Sequence, residues 1–335
     1  MTADSSPVAD PRRPRFSLSV DDGAGALLGA VAGDVAGGAH PSSYSAITQA
    51  STVLAYHLLT NLGVDRDDYA RGLVELAGGE HGQFTYRAPS EAFGEWLKSS
   101  RSGTPVVSAL PSSEPAARSV PIGVFHRREP EKLVTSAVNA ARVTHLDAGS
   151  AVAAAAVAGA VAGSCFVQAG ADLVLGAAET AEAAVDVIED EPYRFGDVGA
   201  ARAIPSHLRE LARAAGDEPE QVVESVRTRL GALDGLGRAL VGIVLGANKP
   251  VEAIRLIEIA GNVGGSESGA ICGGIVGARS GLVRWPWRVH NDTWFAEIGR
   301  RLVTRHDEIR DLPIPYAVEE RMLMAARTRA SEETI

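Results

Sequence analysis

The segment GGSESG (Gly264–Gly269) runs directly into AICGGIVGA (Ala270–Ala278), which predicts a glycine loop that leads into a helix of small residues. Glycine lets a backbone approach a ligand closely, and the free N–H groups at a helix start can bind an anion. In a hydrolase, such a loop often carries acids that hold a divalent metal ion, but serines stand in the corresponding places here. The loop therefore predicts a ligand cradle whose chemistry depends on the rest of the chain.

A second glycine pattern lies near the start of the chain. Glycines recur at every fourth position over Gly25–Gly37, in a segment predicted to be helical from Asp21 or Asp22 to about Ala36. They form a smooth ridge that lets another backbone come close. Because each costs about 1 kcal/mol relative to alanine in a helix interior, their alignment predicts a tight helix–helix contact.

Most of the remaining periodicity is helical, and no segment alternates as a strand does. We predict further helices over Thr48–Leu62, Glu131–Thr144, Gly149–Val167, Ala171–Glu189, Pro205–Ala214, Pro219–Leu230, Gly235–Leu245, Pro250–Ala260 and Gly269–Arg279. The Ser- and Pro-rich segment Pro105–Pro121 is predicted to be a loop. The expected organisation is a disordered tail (1–20), a single all-α domain (21–316) and a charged C-terminal tail (317–335).

Composition excludes several classes of function. The net charge of −10 argues against general binding to nucleic acid or to an anionic membrane, because both need clustered Lys and Arg. Residues 150–167 are uncharged and long enough to imitate a membrane span, but they are mostly alanine and glycine and favour a buried helix. Cys165 and Cys272 lie in apolar segments and are expected to be buried thiols, which fits a cytoplasmic protein.

Five separated segments carry a resemblance to a known family: Gly25–Gly37, Tyr44–Gln49, Ala117–Gly123, Val143–Asp147 and Gly264–Gly281. In this order they resemble G-x-L-x-G-x-A-x-G-D-A-x-G, T-D-D-T-Q, M-R-x-x-P-L-G, T-H-x-D, and G-G-D-x-D-T followed by A-G-A-x-x-G-A-x-x-G. These patterns are those of the ADP-ribosylglycohydrolase family, which includes the dinitrogenase-reductase-activating glycohydrolases. The resemblance implies a compact all-α orthogonal multi-helix bundle around one cleft.

The resemblance also implies two Mg²⁺ ions, held mainly by carboxylates, that orient ribose and water while a glycosidic bond to ADP-ribose is broken. In this chain all five expected acids are replaced. The expected positions carry Pro41, Ala46, Ile47, Ser266 and Ser268. Hard cations need charged oxygen ligands, and neutral serines cannot offset the charge of two metal ions. We therefore expect no cofactor and predict that the Mg²⁺ site of the family is lost.

Candidate ligand-binding residues remain at the matched positions. They are Ser45, Thr48, Arg118, His145, Gly264, Gly265, Ser266, Ser268 and Gly269. Arg118 could instead pair with a core carboxylate, and His145 could be a core or helix-cap histidine. Glu267, the only acid left in the glycine loop, is a weak candidate for a catalytic base, with a solvated acid as the alternative.

Three hypotheses of function follow. The first is a catalytically inactive ADP-ribosylglycohydrolase-like protein that binds ADP-ribose, a related nucleotide or a protein partner. The second is a hydrolase with altered chemistry, metal-independent or differently metallated, acting on an ADP-ribosyl or other N-glycosidic substrate. The third is a structural subunit whose small-residue ridges mediate assembly.

Overall fold

Helices make up almost all of the regular structure in the described part of the chain. The computed structural model describes residues 19–38, 43–78, 86–164, 170–191, 195, 198–214, 221–222, 224, 229–246, 249–259, 265–305 and 311–322. Its α-helices are α1 (Val20–Gly37), α2 (Ala46–Asn61), α3 (Arg66–Ala77), α4 (Glu91–Arg101), α5 (Glu114–Arg118), α6 (Val120–Phe125), α7 (Pro130–Arg142), α8 (Ala148–Gly163), α9 (Gly170–Asp190), α10 (Gly199–Arg213), α11 (Asp234–Gly246), α12 (Pro250–Ile259), α13 (Ser266–Ser280) and α14 (Asp292–Thr304). Residues 315–322 are also helical, and one isolated parallel bridge joins Ser108 to His145. The all-α prediction is confirmed.

Helices α1 and α13 pack together backbone to backbone at the centre of the fold. A Cβ atom added at Gly29 would lie 2.9 Å from the carbonyl carbon of Gly273, and closer still to its oxygen. One added at Gly273 would lie 2.7 Å from the carbonyl carbon of Gly29. The two glycine patterns of the sequence therefore face each other, and each explains why the other carries no side chains.

The alanine-rich helix α8 is a second buried element. Every residue of Ala148–Ala162 is buried, and the helix packs against α5, α6, α7 and α9. Among the described helices, none combines the length and apolar character that a membrane crossing requires. The buried-helix prediction for this segment is confirmed as far as Gly163, while Cys165 lies outside the described residues. Cys272 is a free, buried thiol whose pKa is raised by burial.

Several helix boundaries differ from the predictions for local reasons. Ser19, rather than Asp21 or Asp22, caps α1: its hydroxyl accepts the Asp22 N–H at 3.2 Å, and the Asp22 carboxylate accepts the Ser19 N–H at 2.8 Å. The loop prediction for Pro105–Pro121 is wrong at its end, because α5 begins at Glu114 and α6 at Val120. In both short helices proline stands in the first turn, where its missing N–H is tolerated.

Helices α3, α4 and α14 were not predicted from the sequence. Each is polar on average and buries a single apolar stripe, as α4 does with Phe93, Trp96 and Leu97. The predicted helix Pro219–Leu230 lies largely outside the described residues. Helix α10 starts at Gly199, earlier than the predicted start at Pro205.

The helix over residues 315–322 is fixed to the start of α2 by Glu319, which is 2% exposed. Its carboxylate pairs with Arg87 at 2.7 Å and accepts hydrogen bonds from the Tyr44 hydroxyl at 2.8 Å and the Gln49 amide at 3.1 Å. Arg87 also donates to the Tyr44 carbonyl at 2.7 Å. The domain boundary placed after residue 316 stays a prediction, although the buried Val318 and Glu319 attach this helix to the helical body.

Candidate functional site

The first turn of α13 lies where several elements meet, because α13 packs against α1, α2, α5 and α11. Gly235, at the start of α11, leaves room for the Glu267 carboxylate. A Cβ atom added at Gly235 would lie 2.9 Å from Glu267 Oε2 and 3.0 Å from the Ser113 hydroxyl oxygen. Glu267 is half-buried. The side chain is thus directed towards the beginning of α5 rather than held in open solvent.

Asp34, which is fully buried in α1, organises the start of α2. Its Oδ2 accepts hydrogen bonds from the backbone and hydroxyl of Ser45, at 2.9 and 3.0 Å, and from those of Thr48, at 3.3 and 2.6 Å. Burial raises the pKa of Asp34, and the hydrogen bonds from Thr48, Ser266 and Ser45 partly oppose this rise. The predicted ligand-binding hydroxyls of Ser45 and Thr48 are therefore already engaged within the protein.

Arg118 and His145 come together through Thr144. Arg118 Nη2 donates to the Thr144 hydroxyl at 2.6 Å, and that hydroxyl lies 2.9 Å from His145 Nδ1. The Thr144 hydroxyl accepts from Arg118, and it can either donate to His145 Nδ1 or accept a proton from it, depending on the tautomer. Burial, followed by the charge of Arg118, lowers the pKa of His145 to about 3, so the imidazole is neutral at physiological pH.

Three buried polar atoms around this pair have no hydrogen-bond partner among the described residues: Arg118 Nη1, His145 Nε2 and Glu114 Oε1. The other Glu114 oxygen accepts a hydrogen bond from the Ser90 hydroxyl. Each buried donor or acceptor left unpaired costs about 1–3 kcal/mol, and native proteins leave few of them. Such a group of atoms is what a water or a polar ligand would satisfy.

Glu114 is a candidate site residue that the sequence pattern does not single out. It is 1% exposed and lies one helical turn before Arg118. Burial, then the nearby Glu114 charge, raises the pKa of Glu267 to about 7, while Arg118 opposes the rise. The available signal was the Ser113-Glu114-Pro115 sequence, typical of a helix start, immediately before the matched segment Ala117–Gly123.

The raised pKa of Glu267 makes the stability of the fold depend on pH. In the folded state the Glu267 carboxyl keeps its proton up to about pH 7, whereas the ordinary pKa of a glutamate side chain is 4.5. The contribution of Glu267 to the free energy of unfolding is therefore greatest below about pH 4.5, and it decreases as the pH rises to 7. In Glu267→Gln, the decrease in the free energy of unfolding with rising pH should be smaller than in the wild type by about 2 kcal/mol. This value is lower than the full pKa shift would give, because the side chain is partly exposed.

Urea unfolding of wild type and Glu267→Gln at pH 5, 6, 7 and 8 measures the effect. Glu91→Gln, which alters an exposed acid in the first turn of α4, is the matched control and should keep the wild-type profile. A Glu267→Gln profile as steep as that of the wild type would contradict the prediction.

Comparison with known proteins agrees with this architecture. The family model for ADP-ribosylglycohydrolase matches residues 18–311. The chain belongs to the ADP-ribosylglycohydrolase family. No curated protein matches it. A solved structure described as an ADP-ribosylglycohydrolase-related protein complex is 20% identical, covering 85% of this chain and 98% of that chain with a TM-score of 0.60. At this identity the likeness supports the fold alone.

The metal site implied by the ADP-ribosylglycohydrolase resemblance does not fit the residues present. Ala46 and Ile47 are buried and offer no side-chain ligand, and Ser268 is 1% exposed. The Ser266 hydroxyl lies 3.4 Å from the Asp34 carbonyl oxygen, where it donates a hydrogen bond. Within the described ranges, no three His, Cys, Asp or Glu side chains are grouped to hold a metal ion. We therefore derive no chemistry through Mg²⁺.

The glycines among the predicted ligand-binding residues of this ADP-ribosylglycohydrolase family member differ in their surroundings. Gly265 is exposed and precedes α13 as its N-cap, and no side chain caps this helix. Gly269 is buried against Gly33 and therefore serves packing rather than a ligand. Gly264 and Pro41 lie outside the described residues. Of the predicted ligand-binding residues, Arg118 and His145 have a buried polar atom without a partner among the described residues, as do the neighbouring Glu114 and, at Oδ1, Asp34.

Proposed function

We propose that this protein binds ADP-ribose or a related nucleotide and does not carry out metal-dependent hydrolysis. One observation carries the proposal: every described position that should supply a metal-binding acid holds Ala46, Ile47, Ser266 or Ser268. The neighbouring hydroxyls of Ser45 and Thr48 are committed to Asp34. The helical frame is retained, so a cleft of the family type can exist without its metal ions.

Binding is supported by the polar atoms that lack partners. Arg118 presents an N–H group and a positive charge suited to a phosphate, and His145 presents Nε2. Glu267 is half-buried, and its pKa is raised to about 7 chiefly by burial, so near neutral pH it is partly protonated and can donate a hydrogen bond to a ribose hydroxyl. Arg118 offers a phosphate contact and Glu267 a sugar contact, and the two side chains are close enough for their charges to interact.

Calorimetric titration with ADP-ribose, in 5 mM Mg²⁺ and separately in EDTA, tests this proposal. We expect the same dissociation constant in both buffers, because the described residues include no group of three His, Cys, Asp or Glu side chains that could hold a metal ion. We also expect no Mg²⁺-dependent release of ADP-ribose from an ADP-ribosyl-arginine peptide. The variant Arg118→Met keeps side-chain length but removes the charge, and it should weaken binding about tenfold or more.

Two outcomes would overturn the proposal. One is turnover that EDTA abolishes. The other is that none of ADP-ribose, NAD and AMP binds. That result would favour a function in binding a protein partner or in assembly. Circular dichroism of Arg118→Met must match that of the wild type, since Arg118 is also buried over the Phe93 ring at 5.2 Å.

A metal-independent hydrolase is the second candidate, and Glu267 is the observation that favours it. A carboxyl group with a pKa near 7 beside a second buried acid, Glu114, is an arrangement used for general acid–base chemistry. This candidate predicts release of ADP-ribose in EDTA, with the release lost in Glu267→Gln. Binding without release in EDTA favours the first proposal.

A further inference from the structure

A groove of about 720 Å³ lies between α2, α3 and the start of the helix over residues 315–322. It is separate from the candidate site. Helix α2 contributes Val53, Tyr56, His57 and Thr60 to the groove, whereas Ser45 and Thr48 at the start of α2 contact Asp34. Eight residues of helix separate Thr48 from Tyr56, or about 12 Å. The volume lies within the range of small-molecule sites, roughly 300–1,000 Å³.

The walls of the groove are mainly aromatic and aliphatic. Tyr56 and Tyr316 supply two phenol rings, and Val53, Leu76 and Ile314 supply apolar surface. The Tyr56 side chain is half-buried. Two tyrosine rings that line one groove favour a ligand with a flat aromatic ring, and their π-systems attract a positive charge.

The charged side chains that line the groove, Asp68, Arg71 and Glu75, carry a net negative charge. Asp68 pairs with Arg71 at 2.7 Å, so these two charges cancel. His57 accepts the Asp65 N–H at Nε2, and burial lowers its pKa, opposed by Asp68 and Asp65, so its imidazole is neutral. Glu75, exposed on the rim, has no ion pair within the described part of the chain. Its uncompensated carboxylate selects for a cation.

From these three features we infer that the groove is a second ligand site, for a small planar aromatic cation such as an aryl amidine. The ring would lie between the Tyr56 and Tyr316 side chains, and the cationic group would face Glu75. The inference is independent of any nucleotide at the candidate site.

Saturation-transfer NMR with benzamidine tests it, with neutral benzamide as the isosteric control. We expect saturable benzamidine binding with a dissociation constant of about 1 mM, the range of a fragment-sized ligand. Glu75→Gln should weaken it about fivefold, and Tyr56→Leu, which keeps apolar volume but removes the ring, about threefold. Glu320→Gln removes a neighbouring exposed charge that does not line the groove and should leave binding unchanged.

Three results would overturn the inference: no saturable binding of benzamidine at 10 mM, benzamide binding as tightly as benzamidine, or undiminished binding in Glu75→Gln. Glu267→Gln provides a positional control. Loss of benzamidine binding in that variant would place the ligand at the candidate site and also overturn the inference. Near-UV circular dichroism of each variant confirms that the fold is intact.

Discussion

Gly29→Ala is expected to lower the free energy of unfolding by about 3 kcal/mol or more, at the upper end for overpacked cores. The added methyl group would lie within 3 Å of the Gly273 backbone, and a backbone inside a packed helix pair cannot move aside as a flexible side chain can. Helices α1 and α13 would have to separate along their whole contact. Urea unfolding should show the loss, and the melting temperature should fall by roughly 6 °C.

Gly176→Ala is the matched control. It makes the same chemical change inside α9, where an added Cβ atom would have nothing within 4 Å. There alanine should stabilise the helix by up to about 1 kcal/mol. Equal effects of the two substitutions, or a Gly29→Ala protein as stable as the wild type, would show that the α1–α13 contact is looser than described.

Glu319→Ala is expected to cost about 3–5 kcal/mol, the usual effect of removing one partner of a buried ion pair. Arg87 would lose its carboxylate, and the Tyr44 hydroxyl and Gln49 amide would lose an acceptor. Because these three residues surround the start of α2, its first turn should be disturbed as well. Chemical denaturation measures the total effect, and hydrogen exchange of the α2 amides locates it.

The adjacent Glu320→Ala serves as control, since Glu320 is exposed and should change stability by less than about 0.5 kcal/mol. A double-mutant cycle with Arg87→Ala isolates the pair, and the two losses should be strongly non-additive. Additive losses, or a Glu319→Ala effect as small as that of Glu320→Ala, would mean that the network is not formed in solution.

The glycine pattern of Gly25–Gly37 was sufficient to predict a tight helix–helix contact, because a ridge of aligned glycines has few physical uses, but it did not identify α13 as the partner. Amphipathic helices such as α3 and α4 were missed because their apolar stripes are short and their average character is polar. Glu114 was missed because it follows a Ser- and Pro-rich segment that favours a loop. Only three-dimensional packing brings it beside Glu267.

The sequence was sufficient to propose which positions form the candidate site, but not to predict what each side chain at those positions contacts. The sequence places Ser45 and Thr48 where a ligand is expected, yet both hydroxyls bind Asp34, eleven and fourteen residues earlier. Arg118 and His145 were predicted to be either ligand-binding or core residues. Both are buried, and each has a nitrogen atom without a hydrogen-bond partner among the described residues, so the ligand-binding role stays a prediction.

The contact between α1 and α13 also has a consequence for biosynthesis. Gly29 and Gly273 lie about 240 residues apart, so α1 leaves the ribosome long before its partner is made. At about 5–20 residues per second, the delay is tens of seconds. Throughout that time the bare backbone ridge of α1 has no native surface to cover it. Folding is therefore expected to be completed late and to be slow for a helical protein, because its central contact is among the most distant in the chain.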